Sequence, residues 1–303
     1  MKLAAVDIGS NTLLLLVVEV ASGGLLARRD ECRFGRLGQG LDRSGRLAPE
    51  AIERSLAILR DYRAMLDQEG VARLAVVGTQ ALREADNAGD FLAPAGEILG
   101  APVEVIRGER EAELVFRSVA EALPEVAGGD VVVCDVGGGS TELITGKGGR
   151  VSSLVSVPIG AVRLSERHLA SDPPTADQAR ALIGDVDAHL APLELPGGAA
   201  LVGTAGTATT LATVEQRLRV WDPERVQGFR ISRAAVERQL ARYLELTVSD
   251  RRRLPGLEPQ RADVIAGGVA VLARLMHRLD APEMIISDRG VRWGLVHELA
   301  SSS

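Results

Sequence analysis

Short aliphatic runs alternate with helix-like stretches along most of the chain, and this alternation is typical of α/β proteins. Between the runs, apolar residues at helical spacing follow Pro49, and Gly70 stands where that helix is predicted to end. Four of the runs each stop at an aspartate or a glycine that begins a turn; they are residues 3–6, 74–77, 131–134 and 199–202.

Two strand-turn motifs occur twice, in the same order. An aliphatic run followed by aspartate, an aliphatic residue and glycine occurs at Asp7 and again 128 residues later at Asp135. A run followed by Gly-Thr occurs at Gly78-Thr79 and again 125 residues later at Gly203-Thr204. Glycine-rich turns follow strands in many α/β proteins, but an ordered pair at nearly one offset favours a duplicated domain.

Length and composition agree with two packed domains. The 303 residues allow two domains of ordinary size, and a hydrophobic content of 46% excludes disorder of the whole chain. We predict an N-terminal domain over residues 1–120 and a C-terminal domain over residues 121–303, with a last helix that can pack back onto the first domain. The first turns of the two domains are predicted to face each other across a cleft.

The charge balance narrows the classes of partner. With 41 acidic and 35 basic residues, the net charge of −6 argues against a broad surface for nucleic acid or anionic membrane, although a local basic pocket for a small polyanion is compatible with it. Asp7 interrupts the N-terminal apolar run, and residues 13–18 are too few to span a bilayer. Cys134 lies in a strand-like run that predicts a buried thiol rather than a disulfide. We therefore expect a soluble, reduced, cytoplasmic protein.

Three strand ends lead into loops of glycine and small polar residues. Such loops expose consecutive backbone N–H groups to an anion, and the third leads into a predicted helix N-terminus, which also favours phosphate. Neither a Walker loop nor a dinucleotide-type glycine motif is present, so the loops together predict a site for several phosphoryl groups. They are Asp7-Ile8-Gly9-Ser10-Asn11-Thr12, Asp135-Val136-Gly137-Gly138-Gly139-Ser140-Thr141 and Gly203-Thr204-Ala205-Gly206-Thr207.

The first two loops begin with an aspartate, which would repel a phosphate. A divalent cation between carboxylate and phosphate would remove that conflict, and Asp135 and Glu142, which flank the second loop, could share a hydrated Mg²⁺. Asp7 is a further candidate ligand. The alternative is that Asp7 and Asp135 only accept hydrogen bonds from N–H groups of their own turns.

Other charged residues give weaker signals. Glu111 falls in the first turn of a predicted helix, where a carboxylate ordinarily interacts with the helix dipole, and the residues alone favour that interpretation. The run Arg251-Arg252-Arg253 could belong to a site, but a solvated charge run is the better interpretation. The four histidines lack the spacing of ligands. The arginines placed to neutralise a polyphosphorylated ligand are Arg83, Arg163, Arg289 and Arg292.

Eight short segments, none of which is distinctive alone, together form a highly specific set of motifs. They are residues 7–12, 36–41, 78–87, 108–112, 135–142, 203–207, 261–265 and 287–294. Taken in order, they resemble the Ppx/GppA phosphatase family, the exopolyphosphatases and guanosine pentaphosphate phosphohydrolases. The resemblance covers essentially the whole chain. It implies the actin-like, ribonuclease H-like fold of the sugar kinases and Hsp70 ATPases (the ASKHA fold), in agreement with the duplication.

The resemblance also implies roles for particular residues. It makes Glu111 the catalytic base of a Mg²⁺-dependent phosphohydrolase, which outweighs the dipole interpretation, and it makes Asp135 and Glu142 the metal-associated carboxylates, with Asp7 as our further candidate. We expect the helix N-terminus to lower the pKa of Glu111, so that it positions water better than it removes a proton. The predicted phosphate-binding residues are Gly9, Ser10, Asn11, Thr12, Arg83, Gly137, Gly138, Gly139, Ser140, Gly203, Thr204, Gly206 and Thr207.

The substrate and the competing functions stay open at this point. The implied substrates are inorganic polyphosphate and pppGpp, an alarmone of the stringent response, and the short two-domain form favours polyphosphate of modest length. A monovalent K⁺ and a homodimer are compatible with the family, and neither nucleic acid nor membrane is expected as a partner. The alternatives are an ATPase or kinase of the same superfold, and a nucleotide or alarmone sensor without turnover. The set Glu111, Asp135 and Glu142 argues against a sensor.

Overall fold

The structure is a computed structural model that describes residues 1–301. The chain forms two compact units, one made of residues 1–118 together with the C-terminal helix and the other of residues 119–290. The last two residues of the predicted second domain, 302 and 303, lie outside the described residues.

The first unit is built on a five-stranded sheet. Its strands are β1 (Lys2–Ile8), β2 (Leu13–Ala21), β3 (Gly24–Arg33), β4 (Arg73–Gly78) and β5 (Glu104–Val105), in the order β3-β2-β1-β4-β5. The helices that begin in this unit are α1 (Leu41–Ser44), α2 (Pro49–Glu69), α3 (Gln80–Glu84), α4 (Gly89–Leu99), α5 (Gly108–Ala122) and α14 (Val291–Ser301).

The second unit is built on a six-stranded sheet. Its strands are β6 (Asp130–Val136), β7 (Thr141–Lys147), β8 (Arg150–Val157), β9 (Ala200–Thr204), β10 (Arg230–Ser232) and β11 (Glu283–Ile286), in the order β10-β11-β9-β6-β7-β8. A short 3₁₀ turn, Pro259–Arg261, also belongs to this unit. The helices are α6 (Pro124–Ala127), α7 (Ala161–His168), α8 (Ala176–Leu190), α9 (Ala205–Glu215), α10 (Pro223–Val226), α11 (Arg233–Glu245), α12 (Val248–Arg251) and α13 (Ile265–Arg278).

The two sheets repeat one arrangement of strands. The order β3-β2-β1-β4-β5 of the first sheet corresponds to β8-β7-β6-β9-β11 of the second, and the antiparallel and parallel pairings occur in the same places. β10 is an additional edge strand. The predicted duplicated α/β fold is confirmed, since a shared order with shared strand directions is what duplication produces.

Helix α2 shows how the sequence pattern produces a local element. It begins at Pro49, whose fixed φ suits a first helical position, and ends before Gly70, which takes a left-handed φ of 64° as its cap. The buried Tyr62 on α2 donates a hydrogen bond from its hydroxyl to the Leu13 carbonyl of β2 at 2.7 Å. The helix therefore has its predicted ends, and it packs on the sheet of its unit.

Each unit has its own hydrophobic core, and both cores are mainly aliphatic. Cys134 is buried and Cys32 is exposed, and neither forms a disulfide, which confirms the predicted buried thiol. Burial, together with the nearby carboxylates of Asp135 and Glu142, raises the pKa of the Cys134 thiol well above its ordinary value. Among residues 1–301, no helix combines the length and apolar character needed to cross a membrane.

The interpretation of residues 251–253 as a solvated charge run is wrong for Arg251. Its side chain is only 2% exposed, whereas Arg252 and Arg253 are exposed. The Arg251 guanidinium donates from Nη1 to the Ala262 carbonyl at 2.7 Å, which compensates the cost of burying its donors. A run of like charges in sequence does not show which member turns inward.

Candidate active site

The first two predicted anion loops are turns of the same shape. Gly9 N–H donates to the Thr12 carbonyl at 2.9 Å, and Gly137 N–H donates to the Ser140 carbonyl at 3.0 Å. A Cβ built on either glycine would come within 3.1 Å of the carbonyl oxygen that its own N–H binds. Each turn joins two antiparallel strands, so the strand ends hold both loops in place.

The carboxylates around the two turns differ between the units. Asp135 lies directly across from Glu142 in the β6–β7 ladder, whereas Asp7 lies across from Leu14 in the corresponding β1–β2 ladder. Side chains directly opposite in such a ladder have Cβ atoms about 4.5–5.5 Å apart. The second unit therefore carries a carboxylate pair where the first unit carries one carboxylate.

The Asp135–Glu142 pair fits a hard divalent cation. Both residues are buried, at 7% and 0% exposure, and the Ser156 hydroxyl donates to Glu142 Oε1 at 2.7 Å. Carboxylate oxygens are the ligands that Mg²⁺ prefers, and Mg²⁺ is commonly held by only one or two carboxylates plus waters and phosphate oxygens. Among residues 1–301, no group of three or more His, Cys, Asp or Glu side chains is arranged around a metal position.

Asp7 lies in an environment that disfavours its charge. Burial raises the pKa of the Asp7 carboxyl to about 7, the Glu111 carboxylate adds to the rise, and Arg292 opposes it. Its Oδ1 atom is buried and has no hydrogen-bond partner within residues 1–301. A cation or a proton at this oxygen would relieve the cost, so Asp7 fits a ligand role as well.

Glu111 is held in the first turn of α5 by an arginine of the same unit. It is 8% exposed, and Arg83 Nη1 donates to Glu111 Oε2 at 2.8 Å and to the Ile106 carbonyl at 2.9 Å. The structure thus brings together two residues that the sequence assigned to one site, the candidate base and a candidate phosphate-binding arginine.

The expected lowering of the Glu111 pKa is wrong. Burial raises the pKa of the Glu111 carboxyl, and the hydrogen bond and charge of Arg83 offset only part of the rise. Removing this carboxylate from water raises its pKa by more than the Arg83 guanidinium lowers it. Glu111 is therefore a stronger base than the sequence predicted.

The second loop is held from behind by the start of α7. Ala161 N–H donates to the Gly137 carbonyl at 2.9 Å, and Val162 N–H donates to the Gly138 carbonyl at 2.8 Å. Gly160 lies against the loop backbone, since a Cβ there would come within 2.6 Å of the Gly138 carbonyl carbon and oxygen. The first N–H groups of α7 are thereby used to fix the loop.

We predict that Gly160→Ala displaces the Gly137–Gly139 backbone and weakens binding of a phosphate-chain substrate. The new Cβ meets main-chain atoms that have no side-chain freedom, and an overpacked site typically costs about 1–3 kcal/mol. The measurement is KM for phosphate release, with Gly184→Ala on α8 as the matched control because nothing lies within 4 Å of a Cβ there. An unchanged KM in Gly160→Ala would count against the loop as a substrate-binding element.

The third predicted loop is not a loop in the structure, because strand β9 leads directly into helix α9. Gly203 and Thr204 end β9, and the helix α9 begins at Ala205, so Gly206 and Thr207 lie within its first turn. Ala205 has a φ of 61°, a left-handed value that is uncommon outside glycine. The Thr204 hydroxyl donates to the Arg289 carbonyl at 2.7 Å, which ties the start of α9 to the turn after β11.

Sequence reasoning missed Arg261. Its guanidinium lies directly against Gly206, where a Cβ would overlap Nη1. The only signal was its membership of the matched segment 261–265, because no spacing along the chain links residue 261 to residue 206. A guanidinium beside a helix N-terminus is a favourable environment for phosphate.

The other predicted arginines occupy different places. Arg292 makes a two-pronged contact with Asp30, at 3.0 Å from Nε and 2.9 Å from Nη2, and Arg163 is buried in α7. The Arg289 side chain lies 3.2 Å from Asp288. Of the four, Arg83 is the one whose contact with a candidate catalytic group the structure shows directly.

The fold and these groups define a duplicated, two-domain α/β protein with glycine-rich turns at corresponding strand ends, buried carboxylates beside them and an arginine-held glutamate. The model of the Ppx/GppA phosphatase family matches residues 16–303, and the chain belongs to that family.

Individual relatives agree over nearly the whole length. The chain is 38% identical to Exopolyphosphatase 2 of Mycobacterium tuberculosis over 99% of this chain and 98% of the relative. The crystal structure of an exopolyphosphatase-like protein superposes with a TM-score of 0.92 at 30% identity, covering 98% of this chain and 97% of that one. A Ppx/GppA family member from Aquifex aeolicus gives a TM-score of 0.84 at 32% identity, covering 100% and 99%.

Proposed function

We propose that this protein is an exopolyphosphatase-type phosphohydrolase that releases terminal orthophosphate from inorganic polyphosphate. The observation that carries the proposal is Glu111, a buried carboxylate held at 2.8 Å by Arg83 in a chain of the Ppx/GppA phosphatase family. A structural glutamate in a first helical turn needs no burial and no guanidinium partner, so its environment favours a role in chemistry.

Glu111 would act on the attacking water. A buried carboxylate with a raised pKa is well suited to accept a proton from water as the oxygen approaches the terminal phosphorus. Arg83 fixes one carboxylate oxygen, which leaves the other to orient the water. The released proton passes to Glu111, and the bridging oxygen leaves with the shortened chain.

The charge of the phosphate chain needs compensation from the protein. The backbone N–H groups of Gly138, Gly139 and Ser140 would bind phosphate oxygens in the second unit, whereas the Gly137 N–H closes the turn. Arg261 beside the start of α9 would bind phosphate oxygens as well. Asp135 and Glu142 would hold the divalent cation. When bound, Mg²⁺ would neutralise charge on the transferred phosphoryl group.

Polyphosphate is preferred over pppGpp as the proposed substrate because the curated relative at 38% identity is named an exopolyphosphatase and matches over almost its full length. Both substrates end in phosphoanhydride-linked phosphoryl groups, so groups that bind that end do not separate them. Hydrolysis of pppGpp is therefore kept as an outcome of the test.

The test is phosphate release by the purified protein with Mg²⁺, offered polyphosphate, pppGpp and ATP in parallel. We expect release from polyphosphate above the other two, and loss of release in Glu111→Gln. Release from pppGpp above polyphosphate would reassign the substrate. Release from ATP alone would favour the ATPase class, and tight binding of any of the three without release would favour a sensor.

A further inference from the structure

We propose that Arg251 is a positioning residue of the active site: it fixes the chain around residue 262 and thereby keeps the Arg261 guanidinium on Gly206 at the start of α9. This inference rests on the proposed function, because it takes Arg261 to bind substrate phosphate. It assigns a task to the most deeply buried arginine of the second unit.

Arg251 is bonded in a way that joins two distant points of the chain. Its Nη1 donates to the Ala262 carbonyl at 2.7 Å and its Nε donates to the Leu246 carbonyl at 3.1 Å. Leu246 follows α11 and Ala262 precedes α13, so the planar guanidinium joins the segments at the two ends of the connection between these helices. Among residues 1–301, Arg251 is the largest of the fully buried side chains, with an exposed fraction of 2%.

The charge of Arg251 is compensated in part within the fold: burial lowers the pKa of its guanidinium, and the carboxylates of Asp172 and Asp263 oppose that lowering. Asp172 Oδ1 lies 3.9 Å from Nη2 and also accepts the Val248 N–H at 2.8 Å, and the Asp263 carboxylate supports the charge of Arg251 as well. A buried apolar side chain would fill the same space without a desolvation cost. The directed donors of arginine are what such a side chain could not supply, and one of them is aimed at the residue next to Arg261.

The segment between Arg251 and α13 is also tied to α9. The Thr213 hydroxyl of α9 donates to the Gly256 carbonyl at 2.6 Å. The Arg261 N–H donates to the Glu258 carbonyl at 2.8 Å, which closes the turn that presents Arg261. The segment is thus pinned to α9 at Gly256 and by Arg251 at Ala262, with Arg261 in the stretch between these two points.

The consequence concerns substrate affinity rather than the chemical step. Arg251 lies beneath the segment and reaches substrate only through Arg261, so its loss should let the Arg261 guanidinium leave Gly206. Binding of a phosphate chain then weakens, while Glu111 and Arg83, which belong to the first unit, are unchanged.

A double-mutant cycle tests the inference. We expect Arg251→Met to raise KM for polyphosphate about tenfold and to change kcat less than about threefold. When Arg261→Gln is already present, adding Arg251→Met should raise KM further by less than about twofold. Arg251→Lys keeps the positive charge but loses the planar set of guanidinium donors, so its KM should lie between those of wild type and Arg251→Met. Arg252→Met, at the exposed neighbouring position, should match wild type.

The same cycle run on the Kd of polyphosphate in the Glu111→Gln background separates this inference from the proposed function. If wild type binds polyphosphate without hydrolysing it, the function fails and the cycle on Kd still decides the role of Arg251. A folded Arg251→Met or Arg251→Lys with wild-type KM and Kd would overturn the inference. So would an effect of Arg251→Met that is undiminished beside Arg261→Gln, or no effect of Arg261→Gln itself.

Discussion

Glu111→Gln should fold and bind polyphosphate as the wild type does, and release phosphate about 10²–10⁴ times more slowly, the usual cost of losing a positioned base. Glutamine keeps the shape and can still accept the hydrogen bond from Arg83 through its carbonyl oxygen. It cannot accept a proton from water. The measurements are kcat for phosphate release and Kd for polyphosphate.

The matched control is Glu109→Gln, an exposed carboxylate in the same first turn of α5. It removes the same charge near the same helix end, so it isolates the effect of the buried position. Retention of more than about a tenth of the activity in Glu111→Gln would remove Glu111 from the role of base, because the expected loss is at least about a hundredfold.

The pH dependence of the wild type follows from the same residue. The ionised form of Glu111 is the base, so kcat/KM should rise with pH through the pKa of Glu111, and burial places that rise above the ordinary range of glutamate. Arg83 lowers this pKa, so Arg83→Gln should move the rise to higher pH. Glu111→Gln should lose this rise and keep only the titration of Asp7, a candidate ligand whose own pKa is raised by burial. A wild-type rise at the ordinary glutamate value would contradict the burial argument.

Glu142→Gln is expected to abolish most of the Mg²⁺ dependence of both activity and stability. A neutral amide keeps the bond from Ser156 but leaves Asp135 as a single carboxylate, which is the arrangement of the first unit with Leu14. A cation bound only by the folded state at 100 times its Kd stabilises by about 2.7 kcal/mol. The measurement is the rise in Tm on adding Mg²⁺, followed beside kcat.

Asp130→Asn is the control for this prediction, because Asp130 begins the same strand, β6, and is exposed beside Lys147 at 3.3 Å. It should keep both the Mg²⁺-dependent rise in Tm and the activity. An equal rise in Tm for Glu142→Gln and wild type would place the cation elsewhere.

Local patterns were sufficient for the parts of the fold that short-range forces decide. Proline at the first helical position and glycine at the left-handed cap predict both ends of α2, because the φ values involved belong to single residues. The repeated strand-turn motifs predict the duplication, since related turns need the same small residues. The hydrogen bonds that close the turns at Gly9 and Gly137 have nearly equal lengths, so the two turns that share a sequence motif also share a backbone geometry.

Local sequence patterns could not predict the burial of a side chain or its partners across the sheet. The direction of the Glu111 pKa depends on how much of the carboxylate is removed from water, and its helix position indicates nothing about that. Likewise, the carboxylate pair of the second unit has no counterpart in the first because Leu14 replaces the partner, a difference that matters only once the strands are paired.

The amino-acid sequence by itself therefore determined the α/β class, the duplication, the glycine-rich turns at the strand ends and the family to which they point, because these depend on residue type and spacing. Tertiary structure alone decided that Arg83 meets Glu111, that Arg251 turns inward and that Arg261 lies on Gly206. The contacts join residues at least 11 positions apart in the chain, and the inward turn of Arg251 requires burial of a charge. Long-range contacts and burial are set by the packing of the whole unit rather than by neighbours in the chain.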